Sequence, residues 1–356
     1  MAGRHTRSLG DLRRTDQGEF GGKSANLGEL LSIGLRVPPG FAVAASAFRA
    51  FVAETGLEGT IARAMERAAT GDVDDGAAAS KAIGEAMRFA PLPEPVRAEI
   101  GSCYDDLVRE SGGEPPVAVR SSALGEDSDE ATFAGQQESF LWVRGLDQVC
   151  DAVRDCWASL YTPRAIAYRA ARGAGAESPA MGVTVQAMVD AEVSGVLFTC
   201  NPVSGDPSMV AVDASWGLGL AVVGGETTPD DFLVSKVTGE VVRRTINAKE
   251  IEYVPDAAGR GTVRVEVPPE RRGEPCLRDE HLAALVDVAR RVERHFGSHQ
   301  DVEWAIARDR SLPESLVVLQ ARPVTTVPER TASLSGSALS LVLEAFGAPP
   351  GTDEKS

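Results

Sequence analysis

Two runs near the C-terminal end constrain the fold more than any other part of the chain. Gln300-Asp301-Val302-Glu303-Trp304-Ala305-Ile306 alternates, with Asp301, Glu303 and Ala305 on one face and Val302, Trp304 and Ile306 on the other. Leu316 to Pro323 follows, with Gln320 and Arg322 sharing a face. Period-two alternation marks a strand with one buried face, and the intervening loop, Arg308 to Ser315, makes the pair a hairpin. Symmetric pairing about that loop sets Ala307 opposite Leu316 and Glu303 opposite Gln320. Cross-strand partners hold their Cβ atoms about 5 Å apart, so a carboxylate and an amide oxygen converge, with an arginine two residues along. Hard oxygen donors of this kind suit Mg²⁺, and the neighbouring guanidinium suits phosphate. The plain alternative is an ordinary polar sheet face. Pro323 directly after the arginine fits a strand end.

The rest of the chain mixes helix and strand patterns. Ser24 to Ile33 reads as a helix, with Leu27, Leu30 and Leu31 on one face and Gly34 as its stop. Val37-Pro38-Pro39-Gly40 is a turn into a strand over Phe41 to Ala44. Residues 46–110, rich in Ala and Glu, read as mostly helical, interrupted by an acidic loop at 71–76. Pro116 to Arg120 and Glu138 to Val143 read as strands around a polar loop, 121–135. Leu146 to Ala171 reads as helix broken near Pro163. Val183 to Val189, Ser194 to Thr199, Val210 to Ala214 and Phe232 to Lys236 are rich in β-formers, and helix returns over Asp279 to Phe296. The pattern predicts an α+β protein of two lobes, residues 1–190 and 191–327, followed by a polar tail, 328–356.

Three upstream segments carry residue types suited to phosphate. Gly21-Gly22-Lys23-Ser24 resembles a P-loop, but a Walker A motif needs glycine six residues before the lysine, where this chain has Gln17. What survives is a pair of glycines that admit close backbone approach and a lysine at a helix N-terminus, where free N–H groups favour anions. A glycine turn with a solvated lysine is the alternative. Val117 to Ala123 places Arg120 at the end of a short apolar strand, positioned either as a phosphate clamp or as a surface ion pair. Phe133-Ala134-Gly135-Gln136-Gln137-Glu138-Ser139 offers glycine, amides and a hydroxyl for a loop over phosphates, or an ordinary turn.

Composition narrows the partners. The formal net charge of −16 repels nucleic-acid backbones and anionic lipid, while a local cluster of cations can still hold a triphosphate. No apolar run approaches the length of a membrane helix, and residues 1–20 lack the apolar region of a signal peptide, so a cytoplasmic protein is expected. The five cysteines form no CxxC pair and are expected to be reduced and buried.

Taken together, four long blocks resemble one family: GGKSANLGELLSIGLRVPPGFAV, VAVRSSALGEDSDEATFAGQQESFL, VQAMVDAEVSGVLFTCNPVSGD and DVEWA with VVLQARPVTT. They are similar to the N-terminal ATP-binding domain of phosphoenolpyruvate synthase, pyruvate phosphate dikinase and rifampicin phosphotransferase, over residues 18–327. The resemblance implies an ATP-grasp fold in which two lobes hold ATP. It implies phosphate contacts from Lys23 and Arg120, a nucleotide-covering loop containing Gly135 and Ser139, and a nucleotide contact from Gln186. It also implies Mg²⁺ bound by Glu303 and Gln320, and phosphate contact from Arg322 during transfer.

The sequence departs from the family pattern after Gly-Leu-Gly. There a glutamate is usual and this chain has Leu220, with Glu226 nearby. The loop Arg308 to Ser315 is longer than usual. None of His5, His281, His295 or His299 lies in a motif like the family's phosphohistidine loop. The resemblance therefore implies an ATP-dependent phosphotransferase subunit that cleaves ATP to AMP and phosphate. The β-phosphoryl group would pass to a histidine on a separate protein, for final transfer to a phenol, an alcohol or pyruvate. The alternatives are a direct small-molecule kinase or ligase and a non-catalytic nucleotide-binding module.

Overall fold

The computed structural model describes residues 5–70, 73–124, 138–172, 179–256, 261–308 and 310–324. It is an α+β structure built on two antiparallel sheets. The N-terminal part supplies strands β1 (Thr6–Ser8), β2 (Gly40–Val43), β3 (Val117–Ala123), β4 (Ser139–Val143) and β5 (Met181–Ala187). They form a five-stranded sheet in the order β1-β2-β5-β3-β4. Its helices are α1 (Gln17–Ser32), α2 (Ala45–Thr55), α3 (Glu58–Thr70), α4 (Val73–Phe89), α5 (Glu94–Ser111), α6 (Leu146–Ala158) and α7 (Pro163–Arg172).

From Ala191 onward the strands join a second sheet. These are β6 (Ala191–Phe198), β7 (Met209–Trp216), β8 (Asp230–Ser235) and β9 (Val241–Thr245). A separate hairpin, β10 (Ile251–Pro255) and β11 (Thr262–Glu266), precedes the last two strands, β12 (Gln300–Ala307) and β13 (Leu316–Pro323). The six-stranded order is β13-β12-β6-β7-β8-β9. Its helices are α8 (Leu220–Val223), α9 (Pro269–Arg272) and α10 (Asp279–Phe296).

Alternation along the strands sorts the side chains into two cores and one shared face. Val117 and Val119 of β3 and Val183 and Val185 of β5 pack against Phe51, Ile83, Ile100, Val153 and Trp157 of the helices. Val193 and Leu197 of β6 and Val302, Trp304 and Ile306 of β12 pack against Leu282, Leu285, Val286 and Val292 of α10. Burial of this kind stabilises by roughly 25 cal/mol per Å² of apolar area. The residues in between, Ala118, Arg120 and Gln186 on one sheet and Ser194, Val196 and Glu303 on the other, line a cleft.

Helix α1 ties the sheets together. It breaks at Gly21 (φ +79°), where an added Cβ would lie 2.2 Å from the carbonyl oxygen of Ser122 in β3. Only glycine permits that approach. The helix therefore begins earlier than the sequence pattern predicts, at Gln17, and is interrupted before Lys23. Beyond the break, the Ser24 and Thr184 hydroxyls share a hydrogen bond of 2.7 Å, and Asn26 Nδ2 donates to the Ala321 carbonyl of β13 at 3.1 Å. Farther along, His295 of α10 meets Glu29 at 2.7 Å and Arg291 donates to the Ile33 carbonyl.

Several local expectations are corrected. Ser121, Ser122 and Ala123 are strand rather than loop, because each pairs with β5. Residues 73–76 of the expected acidic loop are the first turn of α4. Glu303 does face Gln320, but a bulge at Leu319 shifts the register beyond it, so Leu316 faces Ile306 and not Ala307. The strands β1, β9, β10 and β11 were not anticipated. Tail residues 328–356 lie outside the described residues. No described helix is long and apolar enough to cross a membrane.

One ion pair among the described residues is fully inside. Lys249 Nζ meets Asp230 Oδ1 at 2.6 Å with both side chains wholly buried, and Asp230 Oδ2 accepts from the Cys276 amide at 2.8 Å. Removing one partner leaves a buried charge uncompensated. Lys249→Ala is expected to lose about 3–5 kcal/mol in urea unfolding, and a loss below about 1 kcal/mol would show that the pair does not brace the segment 247–277.

Candidate functional site: a cleft between the two sheets

The cleft has a volume of about 570 Å³, within the usual range for a small-ligand site. It is charged at one end and apolar at the other. Lys23, Arg120, Ser139, Gln186, Glu303, Gln320 and Arg322 all line it, although they come from six elements spread over some 300 residues. Gly135 lies outside the described residues.

The strand pairing explains the convergence. Arg120 sits opposite Ser139 on β4 and Thr184 on β5. Lys23, just past the Gly21 break, is 5% exposed and donates to the Ser121 carbonyl at 2.9 Å. From the other sheet, Glu303 on β12 faces Gln320 on β13. Arg120 Nη1 reaches across to Glu303 Oε2 at 3.4 Å, so the two sheets meet through an ion pair in the cleft. The Nε–H of Arg120 is buried and has no hydrogen-bond partner among the described residues, which leaves an anion-ready donor beside the carboxylate.

Arg322 is held differently. Its guanidinium bonds Asp301 Oδ2 at 2.8 Å, with the arginine 48% exposed and the aspartate 9%. Burial pushes the Asp301 carboxyl above its ordinary value, and Arg322 pulls it back. Sequence reasoning put Asp301 on the right face but gave it no role. The signal was available, because Asp301 and Arg322 are cross-strand partners once Glu303 is paired with Gln320.

Fit to a divalent cation rests on the donor set. Among the described residues no group of three or more His, Cys, Asp or Glu converges as a closed metal site. Glu303 and Gln320 offer one carboxylate and one amide oxygen. That number suits Mg²⁺, which typically takes one or two protein carboxylates and completes its shell with phosphate oxygens and water.

The opposite end is apolar. Met188, Val189, Leu218, Leu220, Val222 and Leu319 line it. The Gly217-Leu218-Gly219 turn is propped from behind by the hairpin, with Leu218 N donating to the Tyr253 carbonyl at 2.9 Å. An added Cβ at Gly217 (φ +72°) would lie 2.6 Å from that same carbonyl. Glu226, the carboxylate nearest to Leu220 in sequence, does not line the cleft. It accepts from Tyr253 Oη at 2.9 Å and pairs with Arg264 at 3.4 Å.

With that geometry in view, the comparison with known proteins is direct. Residues 17–338 match the family described as "Pyruvate phosphate dikinase, AMP/ATP-binding domain", and the chain belongs to that family. The chain is 40% identical over 359 residues to a "Probable phosphoenolpyruvate synthase" of Methanothermobacter thermautotrophicus, covering 98% of this chain and 51% of that protein. It is 36% identical over 392 residues to the "Phosphoenolpyruvate synthase" of Pyrococcus furiosus, covering 99% and 48%. With the "Phosphoenolpyruvate synthase" of Neisseria meningitidis serogroup B it shares 41% identity over 330 residues, covering 88% and 41%. The chain thus spans about half the length of the relatives it matches.

The cleft face of the six-stranded sheet continues from Glu303 through Val196 to Asp213 and Asp231, which are successive cross-strand partners. The Asp213 carboxyl is pushed up to about 6 by burial and by Asp231, with Arg243 acting in the opposite sense. The folded chain therefore holds the Asp213 proton more tightly than the unfolded chain does. The contribution of Asp213 is favourable at low pH and is lost as pH rises from its ordinary 3.8 through about 6. Asp213→Asn should raise the urea midpoint at about pH 8, with the gain vanishing below about pH 4. Equal midpoints at both pH values would contradict the assignment.

Proposed function

We propose that the cleft binds ATP with Mg²⁺ in an ATP-grasp arrangement, with one sheet on each side of the nucleotide, and that the chain supplies the energy-input step of a phosphotransfer. The observation that carries this reading is the polarity of the cleft, with cations and the Glu303–Gln320 pair at one end and an apolar pocket at the other. A nucleoside triphosphate has the same division, an aromatic base at one end and a polyanion at the other.

Lys23, Arg120 and Arg322 are assigned to the phosphates, where fixed cations offset the charge that develops as a phosphoryl group departs. Glu303 and Gln320 are assigned to Mg²⁺, which when bound neutralises phosphate charge and fixes the geometry of the oxygens. Ser139, with the segment containing Gly135, is assigned to the loop over the nucleotide, and Gln186 to a nucleotide contact. Met188, Val189, Leu218 and Leu220 are assigned to the base. Family membership and the names of the relatives support ATP as the substrate.

The acceptor is read as a histidine outside residues 1–356. None of the four histidines of the chain lines the cleft; His295 bonds Glu29, and His299 lies 2.8 Å from Glu293. In the proposed reaction ATP and one water give AMP and phosphate, and the β-phosphoryl group passes to the histidine of a partner protein. From there it reaches a phenol, an alcohol or pyruvate. The ion pairs Arg120–Glu303 and Arg322–Asp301 keep both guanidiniums aimed before the nucleotide arrives, so less ordering remains to be done on binding.

The test is to incubate the chain with ATP and Mg²⁺, with and without the candidate histidine protein, and to separate AMP from ADP. AMP together with a phosphorylated histidine is the expected result. ADP formed without the partner, accompanied by a phosphorylated small molecule, would replace this reading with a direct kinase. Glu303→Ala and Arg322→Ala should each lower transfer about 10³-fold or more, and wild-type rates in both would remove the hairpin from the chemistry.

A further inference from the structure

Trp142 is, among the described residues, the only one other than glycine with positive φ, at +59°. A bulky side chain seldom adopts that backbone conformation, and it persists only where the surroundings hold it there. The cause is a bulge. Val117 of β3 pairs with Val143, while Val119 pairs with Phe140, so Ala118 faces both Leu141 and Trp142. A bulge of this kind re-aims a side chain. Regular alternation would put Trp142 on the side of Phe140, which packs with Val143 against the helix-side core. Instead Trp142 follows Leu141 to the cleft side.

There it is 7% exposed and packs in a cluster with Ala191, Leu218, Ala305 and Val317, all from the six-stranded sheet or the turn that leaves it. Trp142 itself belongs to the five-stranded sheet. Three of its cluster partners, Ala191, Leu218 and Ala305, line the cleft. The indole thus lies behind the cleft wall and joins the two sheets from beneath its apolar end.

We propose that Trp142 is a positioning residue that sets the depth and rigidity of the base-binding end of the cleft, leaving the phosphate-binding end untouched. This rests on the nucleotide reading above. Ala191 and Ala305 are too small to fill the floor themselves, and Leu218 sits on a turn with glycine on both sides. Tyr253 holds the Leu218 backbone from the hairpin side, and Met188 and Val189 pack against the same cluster, while the indole is its one large side chain from β4. The charged end rests on the Gly21 break and on the Glu303–Gln320 and Asp301–Arg322 pairs, which lie across the β-bulge from the Ala305–Val317 pair in the Trp142 cluster.

The experiment measures binding of two probes by calorimetry in the presence of Mg²⁺: ATP, which fills both ends, and inorganic tripolyphosphate, which engages only the charged end. Trp142→Asn suits the left-handed backbone but empties the floor. Its Kd for ATP should rise about tenfold or more, while its Kd for tripolyphosphate stays within about twofold of wild type. Trp142→Phe, which restores an aromatic floor, should return ATP binding to within about threefold. If Trp142→Asn does not fold, Trp142→Leu keeps apolar bulk and should show a smaller loss in the same probe-selective pattern. Equal weakening of both probes would make Trp142 a general structural residue and overturn the inference, as would unchanged ATP affinity. Failure of the wild-type chain to bind ATP would overturn the nucleotide reading itself, and the inference with it.

Discussion

The close approach of α1 to the inner strands β3 and β5 of one sheet and to the edge strand β13 of the other is the constraint on which the cleft depends. At Gly21 the helix lies so near to Ser122 that no side chain fits. A few residues on, Asn26 bonds the backbone of β13. One helix is therefore bonded to both the sheet that carries Arg120 and the sheet that carries Glu303, and its own Lys23 lines the same cleft. The clamp from α10, through His295 and Arg291, holds the far end of the same helix.

Electrostatics within the cleft run against the charge of the protein as a whole. The chain carries −16, yet three cationic side chains point into one space, and two of them are already paired with carboxylates. The pairing solves a folding problem, since unpaired guanidiniums at close range repel one another. Under the proposed function it also leaves the cations available, because a carboxylate that turns to a metal ion releases its arginine to phosphate. In that proposal Glu303 takes both roles, whereas Asp301 is more buried and bonds Arg322.

What the sequence revealed follows physical periodicity closely. Helix α10 matched its expected limits, Asp279–Phe296, because its apolar stripe is regular and Gly297 ends it in the left-handed conformation. The Glu303–Gln320 pairing was legible because both strands alternate strictly near it. The same alternation misled one residue farther on, since a bulge at Leu319 leaves no trace in a run of Leu and Val. Ser121 and Ser122 read as loop because their hydroxyls resemble turn chemistry, but partners across the sheet on β5 made them strand. Strand β9 is mostly exposed and carries two arginines, so it lacks any buried-face signal. The left-handed Trp142 was the least legible of all, because no local pattern requires a bulge there.

The Gly217-Leu218-Gly219 turn meets the β10–β11 hairpin through a single β-bridge, while Arg120 and Glu303 at the charged end sit on strands paired on both sides. The two ends of the site therefore differ in how freely they can drift. Replacing a strand residue such as Glu303 disturbs pairing on both flanks, but the turn and its hairpin can change length or side chains with little effect on either sheet. If the proposed function holds, a protein built this way can keep its phosphate chemistry constant over long descent while the surface that meets the other half of the ligand is remade.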